Sequence, residues 1–285
     1  MLVPRMSKTT TNLKQLKLLA NTIRQDIITM LFEAKSGHPA GALGMADVFT
    51  ALYFAILKHD PKNPEWPERD RFVLSNGHIC PVLYATLAAA GYFPKQELLT
   101  LRKLGSRLQG HPHLGSLPGI ENSSGPLGQG LSQAVGIAIV AKREQKKWKT
   151  YCVVSDGEHN EGQIWEAVLL AAKYKLDNLI VIMDRNKIQI DGNTEDICPI
   201  EPLKEKYLAF GWYVIEANGN DINEVIEAYK KAQGIVGKPI IIIAHTVPGK
   251  GVSFTENRIE WHGKAPKKEE ADKALAELEK QRKEI

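Results

Sequence analysis

Two short segments combine oxygen-bearing side chains with a glycine in a pattern that suits a magnesium-bound phosphate. They read Val154-Ser155-Asp156-Gly157-Glu158 and Met183-Asp184-Arg185-Asn186-Lys187-Ile188. Asp156 offers a carboxylate and Asn186 an amide oxygen, and irregular backbone near Ile188 would leave a main-chain carbonyl free. Magnesium takes only one or two carboxylates where substrate phosphates and water complete its octahedron, so one aspartate is enough. Gly157 would let the main chain approach a diphosphate closely.

Either segment alone is also typical of an ordinary turn, because Asp, Asn and Gly are common after strands. The two segments are joined by one predicted strand–helix–strand unit. In a parallel sheet, ligands bind beyond the carboxyl ends of the strands, where both segments would lie. Their joint occurrence therefore favours a shared site over two unrelated turns.

Four of the eight histidines adjoin a glycine and are candidates for the wall of a polar cleft. They are His38, His78, His111 and His262. Glycine clears room beside an imidazole, which can then orient hydroxyls, bind phosphate or transfer protons. Each of the four is also compatible with a structural role, and only their number favours a cleft. A structural role is assigned to the remaining four, His59, His113, His159 and His245.

A glycine-rich turn, Asn122-Ser-Ser-Gly-Pro-Leu-Gly-Gln-Gly130, closes a long loop and precedes a predicted helix that begins near Leu131. It could hold an anion or let a planar ring stack on the backbone. Its spacing matches neither the Rossmann fingerprint nor a P-loop, so the turn alone is a weak signal. The loop itself, over 105–126, has no hydrophobic periodicity, and a loop of this length is uncommon unless it is functional.

The elements that must position these residues alternate between strands and helices. The pattern predicts strands over 71–75, 151–154, 179–183, 213–216 and 240–244. It predicts helices over 13–34, 45–57, 81–90, 163–174, 202–210 and 222–233, and one from about 131. Such alternation is typical of an α/β fold in which helices cover both faces of a parallel sheet.

No linker divides the chain, so one α/β domain is expected over 13–266, followed by a helical tail over 267–285. Residues 1–12 are expected to be a flexible N-terminus or a remnant of expression. The 285 residues are 43% hydrophobic and 25% charged, which excludes wholesale disorder. No apolar run reaches the ~18–20 residues that span a bilayer, and there is no signal-peptide core.

A net charge of +4 is too small to indicate nucleic-acid binding. The three cysteines, Cys80, Cys152 and Cys198, are odd in number and form no C-x-x-C motif. Neither a disulfide framework nor a zinc site fits this spacing. Free thiols are typical of a reducing compartment, so a cytoplasmic location is expected.

Taken in order along the chain, these motifs resemble the amino-terminal, diphosphate-binding half of a transketolase, from about residue 16 to about 267. The segments that carry the resemblance are 36–39, 72–78, 110–112, 125–130, 156–162, 175–179, 184–187 and 190–192. Each is unspecific alone, but the ordered set is highly specific. The resemblance implies a thiamine diphosphate-binding fold of the diphosphate-binding type, with thiamine diphosphate and Mg²⁺ as cofactors.

The resemblance also implies a role for each matching residue. The implied metal ligands are Asp156, Asn186 and the main-chain carbonyl of Ile188. The implied cofactor-binding residues are His78, Gly125, Pro126, Leu127, Gly157, Glu161, Asn186 and His262. The implied catalytic residues are His38, His111 and His262, of which His38 and His262 would contact sugar hydroxyls and His111 the reacting carbon. Glu161 would lie in the interface between subunits.

Two positions depart from the family pattern, Ser155 where glycine is usual and Arg185 where asparagine or aspartate is usual. The larger departure is that the pyrimidine-binding and carboxyl-terminal domains are absent. The resemblance therefore implies a split transketolase of the pentose phosphate pathway, which acts on sugar phosphates only when a separate C-terminal subunit is bound. We expect a dimer of heterodimers, and a truncated chain is the alternative.

Three other functions compete with this hypothesis. A deoxyxylulose-phosphate synthase and a 2-oxoacid dehydrogenase subunit have a similar build. The combination of His38, His78, His111 and His262 favours a transketolase over both. A catalytically silent regulatory subunit would need a broken metal site or missing histidines, and the sequence has neither.

Overall fold

A computed structural model describes residues 12–190 and 192–285. The predicted flexible N-terminus or expression remnant lies outside the described residues, except for Asn12. The Asn12 side chain accepts a hydrogen bond from the Gln15 amide at 3.3 Å and so caps the first helix. Within the described ranges, no helix is both long and apolar enough to cross a membrane.

Seven strands are present in chain order. They are β1 (Arg71–Leu74), β2 (Thr150–Ser155), β3 (Leu179–Arg185), β4 (Ile188–Gln189), β5 (Gly192–Asn193), β6 (Tyr213–Asn218) and β7 (Ile240–His245). Five of them form one parallel sheet in the order β1-β2-β3-β7-β6, and β4 pairs with β5 as a small antiparallel hairpin. All five predicted strands are confirmed, with ends that differ by one or two residues.

The helices lie between these strands. They are α1 (Leu13–Ala34), α2 (Pro39–Gly44), α3 (Ala46–Ala51), α4 (Cys80–Ala90), α5 (Gln129–Arg143), α6 (Gly162–Lys173), α7 (Thr194–Ile197), α8 (Leu203–Ala209), α9 (Ile222–Gln233) and α10 (Lys268–Glu284). The single helix predicted over 45–57 is wrong in its continuity, because α3 gives way to a π-helical turn at Leu52–Ile56.

A second correction concerns the loop expected after Ser36-Gly37-His38. A new helix, α2, begins at Pro39, directly after His38. Proline is tolerated at the first helical position because the amide it lacks would have no partner inside the helix. His38 is therefore held at a helix N-terminus rather than in an open loop.

Two hydrophobic cores lie on opposite faces of the sheet, which confirms the predicted layering. On β2, Tyr151 and Val153 face the core built with α1, α3, α4, α9 and α10. Cys152 and Val154 face the core built with α5, α6 and α8. This alternation follows from the period of two along a strand. The predicted tail is the helix α10, which buries Ala271, Ala274 and Leu278 in the first of these cores.

Candidate active site

The candidate site lies at the carboxyl ends of β2 and β3. Ser155, the last residue of β2, is paired in parallel register with Asp184 of β3. Both strands therefore end at the same edge of the sheet. The two segments singled out in the sequence leave the sheet side by side there.

Asp156 is fully buried at this edge, and its carboxylate is held by three donors. Oδ1 accepts the Gly157 amide at 2.8 Å, while Oδ2 accepts the Lys187 amide at 2.7 Å and Arg185 Nη1 at 3.0 Å. Burial raises the pKa of Asp156, and the Lys187 amide and the Arg185 guanidinium oppose that rise. Each carboxylate oxygen has two lone pairs, so only Oδ1 keeps one for a further ligand.

Asn186 is oriented by two hydrogen bonds. Its Oδ1 accepts the Ile188 amide at 3.0 Å and its Nδ2 donates to Asp184 Oδ2 at 2.8 Å. Thr246 Oγ1 donates to the other oxygen of Asp184, whose pKa burial raises to about 7. The amide oxygen of Asn186 thus keeps one lone pair, on the side away from Asp184.

Ile188 corrects one expectation. Irregular backbone was predicted around this residue, but Ile188 begins β4 and pairs in register with Asn193 of β5. A strand of two residues was invisible to a search for periodicity. The hairpin nevertheless brings Ile188 to the same cavity as Asn186.

The donor set determines which cation this region suits. Across residues 12–190 and 192–285, no three His, Cys, Asp or Glu side chains converge on one metal position. Asp156 and Asn186 instead offer one carboxylate and one amide oxygen, and such hard ligands suit magnesium. The set is too small to complete an octahedron alone, so it fits a metal that arrives with phosphate oxygens.

A cavity of about 350 Å³ opens above these ligands. It is lined by His38, His78, His111, Gly125, Leu127, Ser155, Gly157, Asn186, Ile188, Gln189, Ile190 and His262. The structure therefore brings together all four glycine-flanked histidines, the glycine-rich turn and the ends of both strands. These segments are separated by more than 200 residues of sequence between His38 and His262.

Three of the histidines form a mutually contacting group, the histidine cluster, made of His38, His78 and His262. Their ring centroids are 5.2 Å apart for His38 and His78, 5.6 Å for His38 and His262, and 5.4 Å for His78 and His262. Within the described residues, Nδ1 of His38 is buried without a hydrogen-bond partner. A buried polar atom of this kind is costly unless a ligand or water completes it.

Burial keeps the histidine cluster uncharged at neutral pH. It lowers the pKa of His38 to about 4 and that of His78 to about 3, and each ring is further disfavoured as a cation by His262. The pKa of His262 is also lowered by burial. Neutral imidazoles both donate and accept hydrogen bonds, so the cluster can orient hydroxyls and exchange protons.

His111 lies apart from this cluster, against the glycine-rich turn. A Cβ placed on Gly125, whose φ is +139°, would lie 3.4 Å from the His111 ring. His111 also lines a neighbouring open cavity formed by residues 109–124. Burial, followed by the nearby Arg102 guanidinium, lowers the pKa of His111. Its ring is thus another neutral imidazole on the wall of the main cavity.

Three of the predicted site residues do not line the cavity. Asp156 is buried beneath it, while Pro126 and Glu161 are exposed beside it. Glu161 lies against the glycine-rich turn, since a Cβ on Gly128 would come within 2.9 Å of the Glu161 Cβ. Gly128 also has a φ of +80°, so a side chain there would be strained as well as crowded.

The sequence interpretation missed two residues of this site. Glu158 is buried and accepts hydrogen bonds from Ser75 Oγ at 2.5 Å and from the amides of Gly128 and Ser155 at 2.8 Å. It thereby ties the ends of β1 and β2 to the glycine-rich turn. Gln189 lines the cavity, and its Nε2 is buried without a partner among the described residues. No local sequence signal distinguishes either residue.

Comparison with known proteins was made on this geometry. A family model described as "Transketolase, thiamine diphosphate binding domain" matches residues 15–283. The 6-deoxy-6-sulfo-D-fructose transketolase subunit SqwG of Clostridium sp. (strain MSTE9) is 44% identical over 92% of this chain and 95% of that protein. A subunit of the apulose-4-phosphate transketolase of Actinobacillus succinogenes is 45% identical over 93% of this chain and 96% of its own length.

A solved structure agrees with the sequence matches. The crystal structure of transketolase from Campylobacter jejuni superposes with a TM-score of 0.89 and 37% identity, over 94% of this chain and 43% of that one. The chain thus spans nearly the whole length of the two subunit relatives and less than half of this transketolase. The predictions of the fold and of thiamine diphosphate as cofactor are confirmed by the family match and this superposition.

Proposed function

The chain belongs to the transketolase family, and on that premise we propose that it is the N-terminal subunit of a split transketolase. In this proposal it transfers a two-carbon ketol unit from a ketose phosphate to an aldose phosphate. The observation that carries it is the single cavity in which Gly157, Asn186 and the histidine cluster meet. That cavity combines ligands for a metal-bound diphosphate with neutral imidazoles for a sugar.

Cofactor anchoring is assigned to the sheet edge. Asp156 Oδ1, Asn186 Oδ1 and the carbonyl of Ile188 would hold Mg²⁺, which in turn would hold the diphosphate. His78 and His262 would donate hydrogen bonds to the diphosphate, with the Gly157 backbone beside them. Gly125, Pro126 and Leu127 would lie against the thiamine rings. Thiamine diphosphate supplies the nucleophilic carbon and the electron sink for breaking the carbon–carbon bond.

Substrate handling is assigned to the histidines. His38 and His262 would orient sugar hydroxyls, because their rings touch and His38 Nδ1 lacks a partner among the described residues. His111, on the far wall, would accept or donate a proton at the substrate hydroxyl nearest the reacting carbon. The lowered pKa values keep all three rings neutral near pH 7, which allows proton exchange in either direction.

A second subunit would complete the site. Leu127 and Ile190, at the cavity rim, are 38% and 74% exposed although both are apolar. Burying such residues would be favourable on association. Glu161, exposed beside the glycine-rich turn, is assigned to the same interface. The relatives named as transketolase subunits support a partner chain, and we extend this to a dimer of heterodimers.

Further expectations rest on the same proposal. We place the complex in the cytoplasm, as its free cysteines suggest, and treat 13–266 as one domain with a helical tail over 267–285. The relatives are named for 6-deoxy-6-sulfo-D-fructose and apulose 4-phosphate. Substrate profiling should therefore include these two sugars beside the ketoses of the pentose phosphate pathway.

Partner dependence is the experiment that tests this function. We expect the purified chain to show no ketol transfer with saturating thiamine diphosphate and Mg²⁺, because nothing in the anchoring half activates the aminopyrimidine. Glu158 cannot do so, since Ser75, Gly128 and Ser155 already occupy its carboxylate. Activity should appear when the C-terminal subunit, identified by co-purification from the native source, is supplied.

Two outcomes would contradict the proposal. Turnover by this chain alone, with contamination excluded by an Asp156→Ala variant prepared identically, would refute the split enzyme. Activity of the complex on pyruvate with glyceraldehyde 3-phosphate, or on 2-oxoacids with lipoamide, would replace ketol transfer by one of the two related thiamine-dependent reactions. A complex with no activity on any of these substrates would favour the assignment of a regulatory role instead.

A further inference from the structure

Arg185 connects more charged groups than any other side chain near the site. It ends β3, and only 2% of its side chain is exposed. Nη1 donates to Asp156 Oδ2 at 3.0 Å and to Thr194 Oγ1 at 2.8 Å. Nη2 donates to Glu195 Oε1 at 3.0 Å and to Glu201 Oε1 at 2.8 Å. One guanidinium therefore joins three carboxylates and a hydroxyl.

The first of these contacts fixes the orientation of Asp156. Because Arg185 and the Lys187 amide occupy both lone pairs of Oδ2, this oxygen is unavailable to any other ligand. The carboxylate cannot rotate without breaking both bonds inside a buried environment. The remaining lone pair of Oδ1 is therefore held in one direction before a metal binds.

The other contacts of Arg185 reach the far side of the β4–β5 hairpin. Thr194 and Glu195 begin α7, directly after β5, and Glu201 follows a few residues later. The hairpin carries Ile188 and Gln189, both of which line the cavity. The guanidinium thus links the buried carboxylate to the segment that sets the position of the hairpin.

We propose that Arg185 is a positioning residue that holds Asp156 and the β4–β5 hairpin in the arrangement that binds magnesium. This inference rests on the proposed function, since it takes Asp156 as a ligand of Mg²⁺. Arginine suits the task because its planar fork presents donors in two directions at once. A lysine ammonium keeps the charge but cannot span the same four acceptors.

Arg24 provides a matched control elsewhere in the molecule. It lies on α1, and its guanidinium donates to both oxygens of Asp47, with side chains 9% exposed in each partner. Neither residue lines the cavity of the site. Arg24→Lys disturbs a buried arginine–aspartate pair just as Arg185→Lys does, but it leaves the surroundings of Asp156 intact.

The test compares Arg185→Lys with Arg24→Lys in the full-length chain assembled with its C-terminal subunit. Calorimetry would give the Mg²⁺ concentration that half-saturates thiamine diphosphate binding, and thermal melting would give the stability of the metal-free complex. We expect Arg185→Lys to raise that Mg²⁺ concentration about 10- to 100-fold, as is typical for loss of a partner behind a metal ligand. Arg24→Lys should change it less than about two-fold at a similar loss in melting temperature. Excess Mg²⁺ should restore binding to Arg185→Lys, because the ligands themselves remain.

The outcomes separate this inference from the proposed function. Unchanged Mg²⁺ dependence in Arg185→Lys, or an equal loss in Arg24→Lys, would overturn the positioning role. If Arg185→Lys does not fold, Thr194→Val removes one acceptor of Nη1 without altering charge. It should weaken Mg²⁺ binding several-fold, and an unchanged affinity would count against the inference. Failure of the unmodified complex to bind thiamine diphosphate with Mg²⁺ would instead refute the proposed function.

Discussion

The two sides of the cavity solve the problem of burying polar groups in different ways. The oxygen cluster, made of Asp156, Asn186 and Ile188, is held by hydrogen bonds from within the chain. The histidine cluster consists of rings that mainly contact one another, and His38 Nδ1 has no partner among the described residues. One side is prepared for a ligand in advance, whereas the other depends on the ligand to complete it.

Burial also acts on the two clusters with opposite sign, because it disfavours the charged form of any group. It raises the pKa of Asp156 and lowers the pKa of His38 and His78. Only the oxygen cluster has a buried counter-charge, Arg185, which favours the ionised carboxylate. The comparison therefore assigns charge binding to one side of the cavity and uncharged hydrogen bonding to the other.

The largest effect is expected from breaking the oxygen cluster. Asp156→Ala should abolish Mg²⁺-dependent binding of thiamine diphosphate, because no second carboxylate among the described residues is positioned to replace it. Calorimetry on the assembled complex measures this directly. Asp47→Ala is the matched control, since it also removes a buried aspartate from an arginine but lies outside the cavity. Unchanged cofactor affinity in Asp156→Ala would show that the metal site has been placed on the wrong residues.

Sequence alone could predict the oxygen cluster because its parts are local. Asp156 and Asn186 each follow a strand with a clear hydrophobic pattern, and parallel strands place their carboxyl ends at one edge. The five strands of the central sheet were found for the same reason. The short hairpin β4–β5 was missed, since two residues per strand carry no periodicity.

The partners of these residues could not be predicted, because they are remote in sequence. Glu158 receives hydrogen bonds from Ser75 and Gly128, which lie 83 and 30 residues away. Arg185 was noticed only as a departure from a family pattern, and its links to Asp156 and Glu201 depend on the folded loops. The histidines could be grouped by their neighbouring glycines, but their mutual contacts required the tertiary structure.

A smaller effect is expected from His111, which lies apart from both clusters. If it transfers a proton at the substrate, His111→Ala should lower turnover about 10²- to 10⁴-fold. Cofactor affinity should change little, because no assigned metal or diphosphate ligand is lost. Steady-state kinetics on ketose and aldose phosphates, beside calorimetry, would separate the two. His245→Ala, at an exposed histidine paired with Glu216, should keep normal turnover. Near-normal turnover in His111→Ala would return this residue to a structural role.

The smallest effect concerns the pH dependence of stability in the histidine cluster. Burial, and then His262, His38 and His111, lower the pKa of His78 from 6.5 to about 3. Between these two values the unfolded chain binds a proton that the folded chain does not. The contribution of His78 to stability is therefore fully present above pH about 6.5 and is lost as the pH falls below it.

This contribution can be isolated by comparing the unmodified chain with His78→Gln, which cannot titrate. Buried carboxyls act in the opposite direction, as does Asp184 with its pKa raised to about 7, so only the difference between the two proteins is informative. On lowering the pH from about 7 to about 5, the unmodified metal-free chain should lose about 1 kcal/mol more unfolding free energy than His78→Gln, after allowance for solvent screening. Urea denaturation at the two pH values measures this, and His245→Gln should show no such difference because its imidazole is exposed. Equal losses in the unmodified chain and in His78→Gln would mean that His78 titrates normally, and the histidine cluster would then carry charge in the same range as the oxygen cluster.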